Sequence, residues 1–300
     1  MPTPLTPSCP RRRTRRKAST RSGRNAALNG RAVKREDILA YRYCIYEKKG
    51  RIAYVTINRP EVYNALHPPA MRELQQVWAD FRDDPEVWVA IYTGAGDKAF
   101  STGDDLKYMA EKIKEGIPQP EPFPYGGFGG ITNRYECWKP IICAVNGYAI
   151  GGGFEIALAC DIIVAAEHAR FGLPEAKVGQ MPTLGTYTLT RHMPLKQAMA
   201  LLLTGDQISA PEALRLGVIN EVVPREKLMA AAESWAARIL ECAPLSVRAI
   251  KQGAIQGRDV PLPIALNQMW WEYEQMRVSE DGKEGPAAFA EKRKPVWKGR

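Results

Sequence analysis

The sequence lacks several features that would settle a function class at once. It has no apolar run of the roughly 18 residues needed to cross a bilayer; its longest candidate, "IICAVNGYAIGGG", is broken by glycine and polar residues. Its six cysteines (Cys9, Cys44, Cys137, Cys143, Cys160 and Cys242) form no C-x-x-C pair, and no Cys/His cluster has metal-ligand spacing. Neither phosphate signature, G-x-x-x-x-G-K-[ST] or G-x-G-x-x-G, occurs. Residues 1–35 contain no acid at all but eleven Lys/Arg. These absences argue against a membrane protein, a disulfide scaffold, a thiolate metal site and a nucleotide-binding loop.

The net charge of +9 belongs to that first segment. Of 42 Lys/Arg, 31 remain after residue 35, against 33 acids. The body therefore has no charge excess that would mark a nucleic-acid binder, and no nucleic-acid partner is expected. Residues 1–39 carry four early prolines, an arginine run and few large apolar residues, so they are expected to be a disordered basic tail. A passive tail, an organelle transit segment and a polyanion tether are the readings open to it. Cytoplasmic residence is expected, with an organelle matrix as the alternative if the tail is a transit segment. Scattered cysteines in apolar contexts such as "PIICAV" fit buried free thiols in a reducing compartment.

From Tyr41 the pattern becomes ordered. "YCIYEKKGRIAYVTIN" reads as two strands around a Lys-Gly turn. "PAMRELQQVWADFRDD" places Met71, Leu74, Val77, Trp78 and Phe81 at helical spacing. "VWVAIYTG" and "PIICAVNG" read as buried strands, "GFEIALACD" as a helix, and "DIIVAA" and "ARFGLPE" as strands again. The alternation predicts an α/β core over 40–224. After Pro224, "REKLMAAAESWAARILECA", "PLSVRAIKQGAIQ" and "PLPIALNQMWWEYEQMRVSE" predict a helical region, 225–300, without strands. Its pair Trp270 and Trp271 reads as core or subunit contact rather than a ligand box.

One stretch carries the chemistry. In "NGYAIGGGFEIALACD", Gly151, Gly152 and Gly153 precede an apolar helix holding a lone acid, Glu155. A glycine turn opening a helix presents unpaired N–H groups at the positive end of the helix dipole. Such donors suit a phosphate or an oxyanion forming on a carbonyl. Glycines alone do not separate the two, and a first-turn Glu alone is ordinarily dipole stabilisation.

"AFSTGDDL" is a second glycine turn leaving a strand; on its own it reads equally as a helix N-terminus with acidic caps. Together with "NGYAIGGGFEIALACD", "ARFGLPEAKVG", "VTINRPEVYNAL", "LLTGDQISAPEALRLGVINEVVP" and "EGPAAFAEKRKPVW", it closely resembles the crotonase (enoyl-CoA hydratase/isomerase) superfamily, in the family's order from Tyr41 to the end. The resemblance implies a spiral of ββα units in two sheets, followed by trimerising helices, giving a homotrimer or a dimer of trimers. It implies an acyl-CoA thioester substrate and no cofactor apart from the coenzyme A of that substrate. By motif it places oxyanion donors at the N–H groups of Asp104 and Gly152, and substrate contacts along Asp104, Asp105, Leu106 and Lys107. It makes Glu155 the water-activating acid and Glu175, in "FGLPE", the proton donor to C2. Having both glutamates points to hydration of a 2-enoyl-CoA or its reverse. Isomerisation, a specialised dehydration and a non-catalytic scaffold with a polyanion-binding tail are the alternatives. Two departures stand out: Thr183-Leu184-Gly185-Thr186 replaces the usual glycine-rich G-x-G-G, which bears on the acyl group, and Asp104 replaces a small residue at the first donor.

Overall fold

The computed structural model describes residues 41–117 and 125–300. The basic tail read at residues 1–39 lies outside the described residues.

Among the described residues ten strands form two sheets. β1 (Cys44–Lys49) and β2 (Ile52–Ile57) are an antiparallel pair around Gly50, with Cys44 opposite Ile57. The expected Lys-Gly turn is there, with Gly50 at φ +59°, a conformation glycine adopts without strain. β2 pairs in parallel with β3 (Val89–Gly94), with Ile52 beside Val89. β4 is Ala99–Ser101, β5 is Ile141–Val145, β6 is Tyr148–Ile150 and β7 is Ile162–Ala166. β8 is Arg170–Gly172, β9 is Gln207–Ser209 and β10 is Glu221–Val223. The larger sheet runs β1-β2-β3-β5-β7-β10 and the smaller β4-β6-β8-β9.

Alternation explains why β3, β5 and β7 read as unbroken apolar runs: both faces are covered. Ala90, Tyr92, Cys143, Val145, Ile163 and Ala165 face the main core. That core includes Met71, Leu74, Val77, Trp78 and Phe81 of helix α1 (Pro68–Asp83), the five residues whose spacing predicted the helix. The intervening Val89, Ile91, Ile142, Ala144, Val164 and Ala166 pack on Leu228, Ala232 and Ala236 of a later helix, Leu228–Leu240. A one-residue slip of any of these strands would exchange the two cores.

Helix α2 is Leu106–Lys114, α3 Gly152–Ala159, α4 Thr183–His192, α5 Leu195–Thr204 and α6 Ala210–Arg215. The helix Leu228–Leu240 is α7, followed by α8 (Pro244–Gly257), α9 (Leu262–Asn267), α10 (Trp271–Val278) and α11 (Glu280–Ala290). The stretch "PLPIALNQMWWEYEQMRVSE" is thus two helices rather than one. The break falls at Gln268–Trp270. There the Gln252 side chain of α8 accepts the N–H of Glu272 at 2.8 Å and so supplies a cap for α10. Trp270 packs beside Gly253 of α8, whereas Trp271 is 68% exposed. Among the described residues no helix is long and apolar enough to cross a membrane. Cys44, Cys137, Cys143, Cys160 and Cys242 are free, and the first three are buried.

Candidate active site

The smaller sheet assembles the site. β4, β6 and β8 are parallel neighbours, with Ala99 beside Tyr148 and Ile150 beside Gly172. Parallel strands end at the same edge, so the segments leaving them emerge side by side. β4 leads to Gly103 and Asp104, β6 to the three glycines, and β8 to Leu173, Pro174 and Glu175. Three motifs spread over 70 residues are brought to one place by register alone.

The two glycine turns touch. A Cβ built on Gly103, which has φ +82°, would lie 2.7 Å from the Gly152 nitrogen. Among the described residues neither the Asp104 N–H nor the Gly152 N–H donates a hydrogen bond within the chain. Gly152 is the first residue of α3, so its donor is one of the helix's orphan N–H groups. Asp104 bridges Leu66: Leu66 N–H donates to Gly103 O at 2.7 Å and Asp105 N–H to Leu66 O at 3.0 Å. This bridge leaves the intervening Asp104 N–H pointing away from its pairing partner.

The three glycines have separate jobs. Gly151 has φ +58°, and its N–H donates to Gly172 O at 2.8 Å, which ties α3 to β8. Gly152 lies against the buried ring of Phe128, and Gly153 against the carbonyl of Ser101 in β4. A side chain at either of the last two would overlap those atoms.

Glu155, one turn into α3, is 7% exposed. Its Oε1 accepts the N–H of Gly185 at 2.8 Å. α4 begins after Pro182, whose side chain cannot cap it. The Glu155 carboxylate takes the cap's place, at the positive end of the α4 dipole. Burial pushes the Glu155 carboxyl up, opposed by the N–H groups of Gly185 and Leu184. Glu175 opens a short 3-10 turn, Glu175–Val178. Burial pushes its carboxyl up to about 7, the negative charges of Glu155 and Asp104 add to the rise, and its own backbone N–H opposes it. Its Oε2 is buried without a hydrogen-bond partner among the described residues. Burial raises both acids, but they differ in their partners: Glu155 Oε1 accepts a backbone N–H, which favours its charged form, whereas the buried Glu175 Oε2 accepts none.

The residues around Asp104 are fixed by contacts that motif reading missed. Asp105 caps α2, with Oδ1 accepting the Tyr108 N–H at 3.1 Å, so the reading of "STGDD" as an acidic helix start also holds. Its Oδ2 pairs with Arg59 Nη1 at 3.0 Å, both side chains being 11% exposed. Asn64, fully buried at φ +56°, accepts the Arg59 N–H and donates to Ala95 O and Ala99 O. Ser101 Oγ donates to Asn64 O at 2.9 Å and accepts the Gly103 N–H at 3.2 Å. An Asn in the left-handed region inside "RPEVYNAL" was the available signal. Leu106 and Lys107, by contrast, are exposed on the first turn of α2. Among the described residues no group of three or more His, Cys, Asp or Glu is placed to hold a metal ion.

Known proteins resemble the chain in sequence and in fold. The sequence model of the enoyl-CoA hydratase/isomerase family matches residues 47–300. The (E)-benzylidenesuccinyl-CoA hydratase of Thauera aromatica is 44% identical over 264 residues, covering 84% of this chain and 98% of that one. The carnitinyl-CoA dehydratase of Citrobacter koseri is 43% identical over 260 residues, covering 85% and 98%. Among solved structures, an enoyl-CoA hydratase of Mycobacterium marinum superposes with a TM-score of 0.79 at 37% identity, covering 86% of this chain and 99% of that one. The two sheets and the trailing helices are those of the crotonase fold. The chain belongs to the enoyl-CoA hydratase/isomerase, or crotonase, family.

Proposed function

We propose that the protein catalyses the reversible addition of water to a 2-enoyl-CoA thioester, giving a 3-hydroxyacyl-CoA. The observation that carries this reading is the juxtaposition of two unspent backbone N–H groups, on Asp104 and Gly152, with two carboxyl groups in unlike surroundings. Relatives named as a hydratase and as a dehydratase of CoA thioesters support the same reaction class in either direction.

As water attacks C3, negative charge collects on the thioester oxygen. The Asp104 and Gly152 donors receive it without reorganising; one such donor typically contributes about 10²–10³ in rate. Glu155 takes a proton from the attacking water while Gly185 holds its carboxylate in place. Glu175, near pH 7 still substantially protonated, gives a proton to C2. One O–H bond of water is broken, hydroxyl ends on C3 and hydrogen on C2. Dehydration runs the same steps in reverse. Because the two acids interact, their titration belongs to the pair.

The coenzyme A is part of the substrate, and the proposed reaction uses no other cofactor. Substitution of the glycine-rich G-x-G-G by Thr183-Leu184-Gly185-Thr186, at the start of α4, reshapes the side of the site that meets the acyl group. A homotrimer or dimer of trimers would cover the exposed Leu262, Ile264, Leu266, Met269 and Trp271 of the C-terminal helices.

The test is loss of the 2-enoyl-CoA absorbance over a panel of acyl groups. Formation of that absorbance from a 3-enoyl-CoA would identify an isomerase instead. No change with either class would leave a non-catalytic scaffold.

A further inference from the structure

The residue that offers the first donor also brings a third carboxyl into the site. Asp104 stands where the family usually has a small residue. Its side chain is half-buried between the β4 turn and α2. Among the described residues it forms no hydrogen bond and no ion pair. A Cβ on Gly103, the residue before it, would lie 2.7 Å from the Gly152 nitrogen, one on Gly151 would lie 3.2 Å from Glu175 Oε1, and Glu155 is on the helical turn those glycines open, so the three acids surround one glycine turn. The carboxyl of Asp105 faces it as well, but Arg59 satisfies that one at 3.0 Å. Among the described residues no cation acts on Asp104, Glu155 or Glu175. The half-buried carboxyl beside the thioester is therefore uncompensated, and the buried Glu175 Oε2 lacks a partner too.

We infer that the Asp104 carboxyl selects the acyl group by charge: the site takes thioesters whose acyl chain is cationic or neutral close to the thioester, and rejects those carrying a carboxylate there. The inference rests on the proposed hydration only for where the acyl group lies. Its physical basis is that like charges a few ångströms apart in a partly buried site repel strongly, and opposite charges attract as strongly. Burial supplies the low dielectric, and the absence of a counter-cation removes the compensation an anionic acyl chain would need.

The test compares three substrates: 2-butenoyl-CoA, its 4-trimethylammonio derivative and its 4-carboxy derivative. Each is assayed with the wild type and with Asp104→Asn at pH 8. The readout is the ratio of kcat/KM for the cationic over the anionic substrate, which cancels any loss common to all three. The expected wild-type ratio is well above one. Asp104→Asn should lower it about a hundredfold, about tenfold from each charged substrate. A purely structural role for Asp104 would depress all three alike and leave the ratio unchanged, and that result would overturn the inference. Asp104→Ser, shorter but equally neutral, repeats the test if the Asn variant does not fold. A wild type that prefers the anionic substrate would overturn the inference with no variant needed.

A parallel binding measurement separates this inference from the proposed reaction. The saturated analogues, 4-trimethylammoniobutanoyl-CoA and 4-carboxybutanoyl-CoA, cannot be hydrated. If the wild type hydrates none of the three substrates yet binds the cationic analogue in preference, and loses that preference in Asp104→Asn, the charge selection stands and the hydration reading fails. Equal binding of the two analogues by the wild type would contradict the charge selection whatever the turnover.

Discussion

The Oε1 of Glu155 accepts the backbone N–H of Gly185 at 2.8 Å, so the acid assigned to water activation also caps the helix that follows the site. These two roles are separable by substitution. Glu155→Gln keeps an amide oxygen for Gly185 but cannot take a proton. Glu155→Ala removes both. We expect both variants to lose at least about 10²-fold in kcat. Only the alanine variant should lose about 1–2 kcal/mol of stability, the usual cost of losing a cap. Thermal melts beside turnover assays check this; equal melting temperatures for the two variants would show that the cap contributes nothing.

Glu175 predicts that stability and activity both fall as pH rises through about 7. Its carboxyl is raised from 4.5 to about 7, so the fold favours its neutral form. The stability this contributes is fully present below about pH 4.5 and is lost as pH rises through about 7. Asp104, raised to about 6, acts in the same direction at lower pH. Glu175→Gln, neutral throughout, should therefore melt a few degrees above wild type at pH 8 and level with it near pH 4. Hydration should weaken as pH climbs above about 7, because the proton donor is lost. Melting curves from pH 4 to 9 for both proteins check this; a variant that melted level with wild type at pH 8 would show that burial does not penalise the ionised acid.

Gly152 and Gly153 should respond differently to alanine. A methyl on Gly153 meets the Ser101 carbonyl, main chain of β4 that cannot move without disrupting the sheet. Gly153→Ala should cost about 3 kcal/mol or fail to fold. A methyl on Gly152 meets the edge of the buried Phe128 ring, a side chain rather than main chain. Gly152→Ala should fold, lose about 1–2 kcal/mol and lose most turnover, since its N–H would shift with α3. A folded, fully active Gly152→Ala would remove Gly152 from the oxyanion site.

The Arg59–Asp105 pair supports the other donor. Arg59→Met leaves the Asp105 carboxylate poorly exposed and unpaired, a change that typically costs about 3–5 kcal/mol when the pair is buried. With the α2 cap loosened, the Asp104 N–H should lose its aim. Arg59→Lys should recover most of the stability but less of kcat, because a single ammonium cannot reproduce the planar guanidinium contact. Comparable kcat in Arg59→Lys and wild type would reduce the pair to a stability element.

Much of this site was readable because its signals are local. A glycine triplet before an apolar helix, an acid on the next turn and "FGLPE" are each contiguous, and α1 announced itself through five apolar residues that all reached the core. Strand register then did what no single motif shows, placing segments 70 residues apart at one sheet edge. What could not be read is held by tertiary contacts: Gly185 under Glu155, Arg59 under Asp105, and the Gln252 cap that splits α9 from α10. Nothing in a helical period reports a cap supplied from another helix. Asp104 is an intermediate case, since its type was visible but the direction of its carboxyl depends on its neighbours.

The most direct measurement of the proposed chemistry follows atoms from solvent into product. A 2-enoyl-CoA that the protein turns over is incubated in deuterium oxide and, separately, in oxygen-18 water, with wild type, Glu155→Gln and Glu175→Gln. Wild type should place one solvent oxygen on C3 and one deuterium on C2, and each variant should lose both labels together, by about 10²-fold or more. Deuterium entering C2 without oxygen at C3, or either variant labelling at the wild-type rate, would contradict two acids working on one water.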